Sequence, residues 1–154
     1  MFTAKQATIS ADNEPILNVY DTPGLEDSRA LHAHIKKLQA KSKLLLPAQV
    51  LEHFVTHVAV NDPLEQEAKV IRQVLRSDIL LYIIDVREPF LEKYRLELDI
   101  LTQAAKPIVP VFNFIAGHPQ ELAQWRQNLA AYNMHATLEF DTVAFTFEAE
   151  KRLY

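Results

Sequence analysis

Glycine is nearly absent: the 154 residues contain two, Gly24 and Gly117, where average usage near 7% would supply about 11. They stand 93 positions apart. A phosphate loop of the form G-x-x-x-x-G-K-[ST] needs two glycines five apart, so that backbone N–H groups can wrap a polyphosphate. A dinucleotide loop of the form G-x-G-x-x-G needs three within six residues. Neither pattern occurs in the chain. Cysteine is missing altogether, which excludes disulfides, thiol catalysis and Cys-ligated zinc and fits a reducing compartment. The longest strongly apolar run, at 79–84, is far shorter than the roughly 20 residues a membrane span requires. The first residues, Met1-Phe2-Thr3-Ala4-Lys5-Gln6, lack the basic and apolar stretches of a signal peptide. There is no basic excess either: a net charge of −4 gives no electrostatic reason to propose nucleic acid as a partner. No repeat or low-complexity tract divides the chain, so one domain, or part of one, is the default.

What is present reads as alternating strands and helices. Residues 4–10 and 16–20 suit two short strands joined by the turn-rich 11–15, an antiparallel hairpin. In residues 28–40, Leu31, Ile35 and Leu38 recur as on one face of a helix. Pro47 opens a second helical pattern carrying Val50, Leu51, Phe54, Val55 and Val58. Asp62, Pro63 and Glu65 predict the capped start of a third, whose apolar face is Leu64, Ala68, Ile71 and Leu75. The continuous apolar run at 79–84 predicts a strand covered on both sides. Helix 91–105, with Leu91, Tyr94, Leu98 and Leu101 inward, leads to a strand at 108–112. Helix 119–132, with Leu122, Trp125, Leu129 and Tyr132 inward, leads to a strand at 136–140, and 147–154 begins another helix. This alternation predicts βαβ crossovers, hence an α/β fold with a mostly parallel sheet and helices on both faces. Asp21, Asp85, Asn113 and Asp141 then follow strands directly, at the edge where open α/β sheets bind ligands.

Of these strand ends, Asp21-Thr22-Pro23-Gly24 is the most specific. A carboxylate there suits a nucleotide's Mg²⁺, usually through water. A glycine three residues on lets its N–H approach a γ-phosphate without a Cβ in the way. The same residue types also make ordinary tight turns. Asp85 reads either as a second metal carboxylate or as a strand-to-helix turn residue. His32 and His34 face different ways on a helix. His53 and His57, four apart, could pair on zinc, but no Glu follows the first and no third ligand is evident.

The segment Val19-Tyr20-Asp21-Thr22-Pro23-Gly24-Leu25-Glu26-Asp27 resembles switch II of Era/TrmE-type bacterial GTPases. Glu65-Gln-Glu-Ala-Lys-Val-Ile-Arg72, Ser77-Asp78, Tyr82-Ile-Ile-Asp-Val-Arg-Glu-Pro89, Lys106-Pro-Ile-Val-Pro-Val-Phe-Asn-Phe114 and Phe140-Asp-Thr-Val-Ala144 follow in order. Together they are similar to a proteobacterial two-part family with an N-terminal G domain and a C-terminal domain of unknown function.

The resemblance implies a P-loop NTPase-like G domain that binds GTP with Mg²⁺ in the cytoplasm. It implies that Asp21 is the Mg²⁺-side acid, acting through water, that Gly24 contacts the γ-phosphate, and that Thr22 belongs with them to the nucleotide-binding residues. Asn113 stands where the guanine-reading N-K-x-D motif begins and could donate to O6 or N7. The run there is Asn113-Phe114-Ile115-Ala116, without the lysine and the aspartate, so a polar residue capping the next loop is an equal reading. Leu25 takes the place of a water-orienting glutamine, which leaves hydrolysis to a residue from elsewhere. Asp141-Thr142-Val143-Ala144 occupies the last base-binding loop, and Thr3 the switch I threonine. Helices within 28–77 stand as an insertion after switch II and a possible protein-partner surface.

The resemblance also places a central strand and phosphate loop between the strands at 16–20 and 79–84, and the sequence contains neither. The expectation is therefore a partial G domain over 1–154, lacking the first strand and P-loop. Alone it would bind GTP weakly or not at all and would not hydrolyse it. Strand 16–20 would then pair directly with 79–84, or both edges would stay open. The alternative is a non-catalytic pseudo-GTPase module that holds a protein partner.

Overall fold

The computed structural model describes residues 5–43 and 45–142. The expected helix at 147–154, Thr3, and the Val143 and Ala144 positions of the last loop lie outside them. The chain divides into two compact units, Met1–Arg76 and Ser77–Tyr154.

The first unit opens with strands β1 (Lys5–Ala11) and β2 (Glu14–Asp21), paired antiparallel as expected. Asp12 and Asn13 make the two-residue turn, both at positive φ (50° and 65°). That backbone matches the right-handed twist of a hairpin, and Asp and Asn tolerate it better than most residues. Neither strand buries a side chain fully.

Three helices follow: α1 (Ser28–Lys41), α2 (Pro47–His57) and α3 (Glu65–Arg76). Asp27 caps α1 by accepting from the Ala30 N–H at 2.9 Å. Pro47 begins α2, where its missing N–H costs nothing, and Gln49 Oε1 accepts from the Leu46 N–H at 2.8 Å. Leu31 and Ile35 of α1, Val50, Leu51 and Phe54 of α2, and Ala68, Ile71 and Val74 of α3 form the buried stripes. The Arg72 guanidinium donates to the Val55 carbonyl at 2.9 Å, tying α3 to α2.

The start of α3 differs from expectation. Asp62 accepts from the Leu64 N–H two residues on (2.8 Å), while Glu65 reaches back to the Asn61 N–H (2.9 Å). Asn61 sits at φ 65°, so the chain reverses one residue earlier, and the helix begins at Glu65 rather than at Pro63.

The second unit is a three-stranded parallel sheet in the order β3 (Leu80–Asp85), β4 (Ile108–Asn113), β5 (Leu138–Glu139). Helix α4 (Glu92–Leu101), continued by a 3₁₀ turn at Thr102–Ala104, joins the first two strands, and α5 (Pro119–Ala130) joins the last two. The core contains Ile84, Val86, Leu98, Phe112, Trp125 and Leu129, so both helices pack on the same face of the sheet. Two successive right-handed crossovers stepping in one direction require this arrangement.

That arrangement corrects two expectations. Within this unit both described helices lie on one face of the sheet, not one on each. The strand at 79–84 is not buried on both sides either: Leu81 is 55% and Ile83 63% exposed, while Ile84 between the helices is buried. Leu91, expected inward, precedes α4 and is exposed, and β5 is two residues long rather than five. Strands β2 and β3 belong to different sheets. Each keeps one edge unpaired among the described residues, the open-edge outcome of the two expected.

Beneath the covered face, the Tyr82 hydroxyl donates to Glu97 Oε2 at 2.7 Å. Burial pushes the Glu97 carboxyl above its usual range, against the hydrogen bond from Tyr82 and the attraction of Lys93. A carboxyl whose folded pKa is raised contributes most stability below its unfolded pKa, and that contribution is lost as pH rises through the folded value. Glu97→Gln keeps an acceptor for Tyr82 without the charge. Its stability advantage over the parent should grow between pH 4 and pH 7 in urea midpoints, and an advantage that shrinks with pH would contradict the sign.

Candidate functional site

The Asp21 carboxylate stands at the last position of β2, exposed, and no side chain pairs with it among the described residues. Residues 22–25 leave the strand as an irregular segment, in which Thr22 is half-buried, Pro23 and Gly24 are exposed and Leu25 is buried. The segment then enters α1 through the Asp27 cap. Its far end is held from below. Glu67 of α3, a buried carboxylate, accepts the Asp27 N–H at 3.0 Å. Local spacing does not mark Glu67, because its partner lies 40 positions away.

Asn113 ends β4 in the other unit, and its side chain is a hub. Its Oδ1 accepts from the Phe114 N–H (2.9 Å), the Thr142 N–H (3.1 Å) and the Thr142 hydroxyl (3.1 Å). Three donors around one oxygen saturate it and leave Nδ2 as the group able to face a ligand. Asp141, two residues past β5, accepts from the Ala116 N–H at 2.9 Å. The strand-end residues of this unit therefore clamp the loop after β4 to the loop after β5.

Asp85 behaves as the turn reading expected. Arg87 holds it through Nε (2.9 Å), a terminal guanidinium nitrogen (2.7 Å) and the backbone N–H (3.0 Å). The guanidinium bonded to it lowers the Asp85 carboxyl below its ordinary range. The same guanidinium lies over the Phe114 ring, 3.8 Å from its centroid. Phe114 itself adopts φ 58°, a left-handed conformation that a bulky residue rarely takes without a compensating contact. The sequence offered Asp85 as a turn residue without naming Arg87 as its partner. Nor did it show the stack on Phe114, which joins two separate loops.

The structure thus brings Asp21, Thr22 and Gly24 together on one segment of the first unit and places Asn113 in the second. The histidine pair remains a helix-surface feature: His53 and His57 stack at 4.0 Å, and His57 Nδ1 lies 2.8 Å from the His53 carbonyl. No group of three metal-ligating side chains occurs among the described residues. As a metal position, Asp21 offers one carboxylate, which fits a contact through water and needs donors from a phosphate to complete a shell. No described helix is long and apolar enough to cross a membrane. Comparison with protein-family models, with curated proteins and with solved structures returned no match.

Proposed function

We propose that the chain is part of a guanine-nucleotide-binding G domain whose activity requires a phosphate loop absent from these 154 residues. The observation that carries this reading is the exposed, unpartnered Asp21 carboxylate at a strand end, followed by Thr22-Pro23-Gly24 and a helix capped by Asp27. In that reading Asp21 holds Mg²⁺ through water, Thr22 and the Gly24 N–H face the γ-phosphate, and Asn113 Nδ2 donates to the base. When bound, Mg²⁺ supplies neutralisation of phosphate charge.

Most nucleotide affinity in this class comes from the loop's backbone donors, its lysine and the Ser/Thr on Mg²⁺. The 154-residue chain alone should therefore show no micromolar binding of a fluorescent GTP analogue. Its fusion to an in-frame G-x-x-x-x-G-K-[ST] segment encoded upstream of the Met1 codon should bind it, and Asp21→Ala in that fusion should weaken the Mg²⁺-dependent part at least tenfold. Micromolar binding by the chain alone would refute the requirement for a loop. A stop codon directly upstream, or a fusion that stays inert, would refute the nucleotide reading.

A second reading, a non-catalytic G-domain relative that holds a protein partner, draws on two positions. Leu25 is buried and apolar where a water-orienting group would stand, and Phe114 is engaged by Arg87 where the base-binding lysine would follow Asn113.

A further inference from the structure

The 28–43 segment concentrates positive charge that the whole-chain total conceals. It contains Arg29, Lys36, Lys37, Lys41 and Lys43 and no Asp or Glu. The segment carries +5 in a chain whose total is −4, so the remaining residues carry −9. On α1 the buried stripe is Ser28, Leu31 and Ile35, while Arg29, Lys36, Lys37 and Lys41 are all exposed. No acidic side chain pairs with Lys36, Lys37, Lys41 or Lys43 among the described residues. Lysines near a helix C-terminus favour the helix dipole, which accounts for Lys41 and Lys43 but not for Lys36 and Lys37 a full turn earlier.

Directly after the lysines the chain exposes two leucines. Leu45 is 40% and Leu46 67% exposed, in the short connection to α2. Their backbone donors are already satisfied: the Leu45 N–H by the Ser42 carbonyl at 3.0 Å, and the Leu46 N–H by Gln49 Oε1 at 2.8 Å. A loop tip with apolar side chains and occupied N–H groups loses less on leaving water than an ordinary loop does. Nucleic-acid phosphates would account for the lysines and give the leucines no role. A bilayer with anionic headgroups accounts for both, since lysines meet headgroup charge while leucines enter the headgroup–acyl boundary.

We propose that Lys36, Lys37, Lys41 and Lys43 of α1 and its following turn, with Leu45 and Leu46, dock this unit on an anionic lipid bilayer surface. The proposal is independent of nucleotide binding. It requires no spanning helix, and it combines the two weak signals, polybasic charge and shallow apolar insertion, that stable peripheral attachment needs.

The test is cosedimentation of the 154-residue chain with vesicles of phosphatidylcholine alone and of phosphatidylcholine with roughly a quarter phosphatidylserine. Binding should appear only with the anionic vesicles and fall as salt rises. At about fivefold for each lysine, the double variant Lys36→Ala with Lys37→Ala should bind about 25-fold more weakly. Leu45→Ser with Leu46→Ser should also weaken binding, while leaving its salt dependence unchanged. All four positions are exposed, and unchanged far-ultraviolet circular dichroism verifies that the variants fold. Absent binding, equal binding to neutral vesicles, or full binding by the leucine variant would overturn the proposal. So would a gel shift of a short RNA duplex by a chain that ignores the vesicles.

Discussion

Trp125→Ala should cost the second unit about 3–5 kcal/mol, a large share of its stability. Trp125, the one tryptophan of the chain, is 2% exposed in α5. Phe90 and Tyr94 meet it edge-on, each with its ring centroid 5.1 Å away. Its indole N–H donates to the Glu88 carbonyl at 2.8 Å. Truncating a buried aromatic of this size costs about 3–5 kcal/mol. A unit of this length commands about 4–12 kcal/mol in all, at 0.05–0.15 kcal/mol per residue. Urea unfolding followed by far-ultraviolet circular dichroism reads the loss directly. Trp125→Phe is the informative companion, since it keeps much of the ring packing while removing the donor to Glu88 and part of the ring volume. It should cost about 1–2 kcal/mol, the scale of one lost hydrogen bond with a modest cavity. An alanine variant within 1 kcal/mol of the parent would mean that the core does not depend on this contact set.

The second large effect belongs to Asn113. Removing its side chain in Asn113→Ala takes away the Oδ1 acceptor shared by the Phe114 N–H, the Thr142 N–H and the Thr142 hydroxyl. Water can reach part of this site, so the expected loss is about 2–3 kcal/mol rather than the full sum of three buried orphans. Asn113→Asp separates structure from recognition. It keeps an oxygen for all three donors and removes the Nδ2 donor, so its stability should lie within about 1 kcal/mol of the parent. If Asn113 also reads a base, the aspartate variant of the loop-bearing fusion should lose nucleotide affinity while remaining folded. Equal destabilisation by alanine and aspartate would show that the oxygen is not what the clamp uses.

Local chemistry made much of the fold legible. The Asp12-Asn13 turn, the Pro47 start of α2 and the buried Leu64, Ala68 and Ile71 are each fixed by residues close in sequence, although Val74 is buried where Leu75 was expected. The parallel pairing of β3 with β4 followed from the alternation of strand and helix. What the pattern could not supply was coverage. The run Leu80-Leu81-Tyr82-Ile83-Ile84 carries the composition of a doubly buried strand, yet composition does not say which side a neighbour occupies, and both crossovers turned to the same side. The candidate site was legible to the same degree. Asp21 and Asn113 were found as strand-end polar residues. Glu67 beneath Asp27 and Arg87 over Phe114 are contacts between distant segments, and no local spacing announces them.

The β1–β2 ribbon, in which no side chain is fully buried, bears on how any ligand would meet Asp21. A two-stranded ribbon without a packed face is marginal in water, so Asp21 is fixed mainly from its α1 side, through Asp27 and Glu67. Its carboxylate is then better treated as a population than as a fixed point. A ligand that needs the ordered arrangement sees its affinity divided by the fraction of molecules that hold it. An arrangement present about half the time weakens binding about twofold, and one present about a tenth of the time weakens it about tenfold. Whatever pairs with the free edge of β2 would raise that fraction, and would tighten binding at Asp21 without touching the ligand.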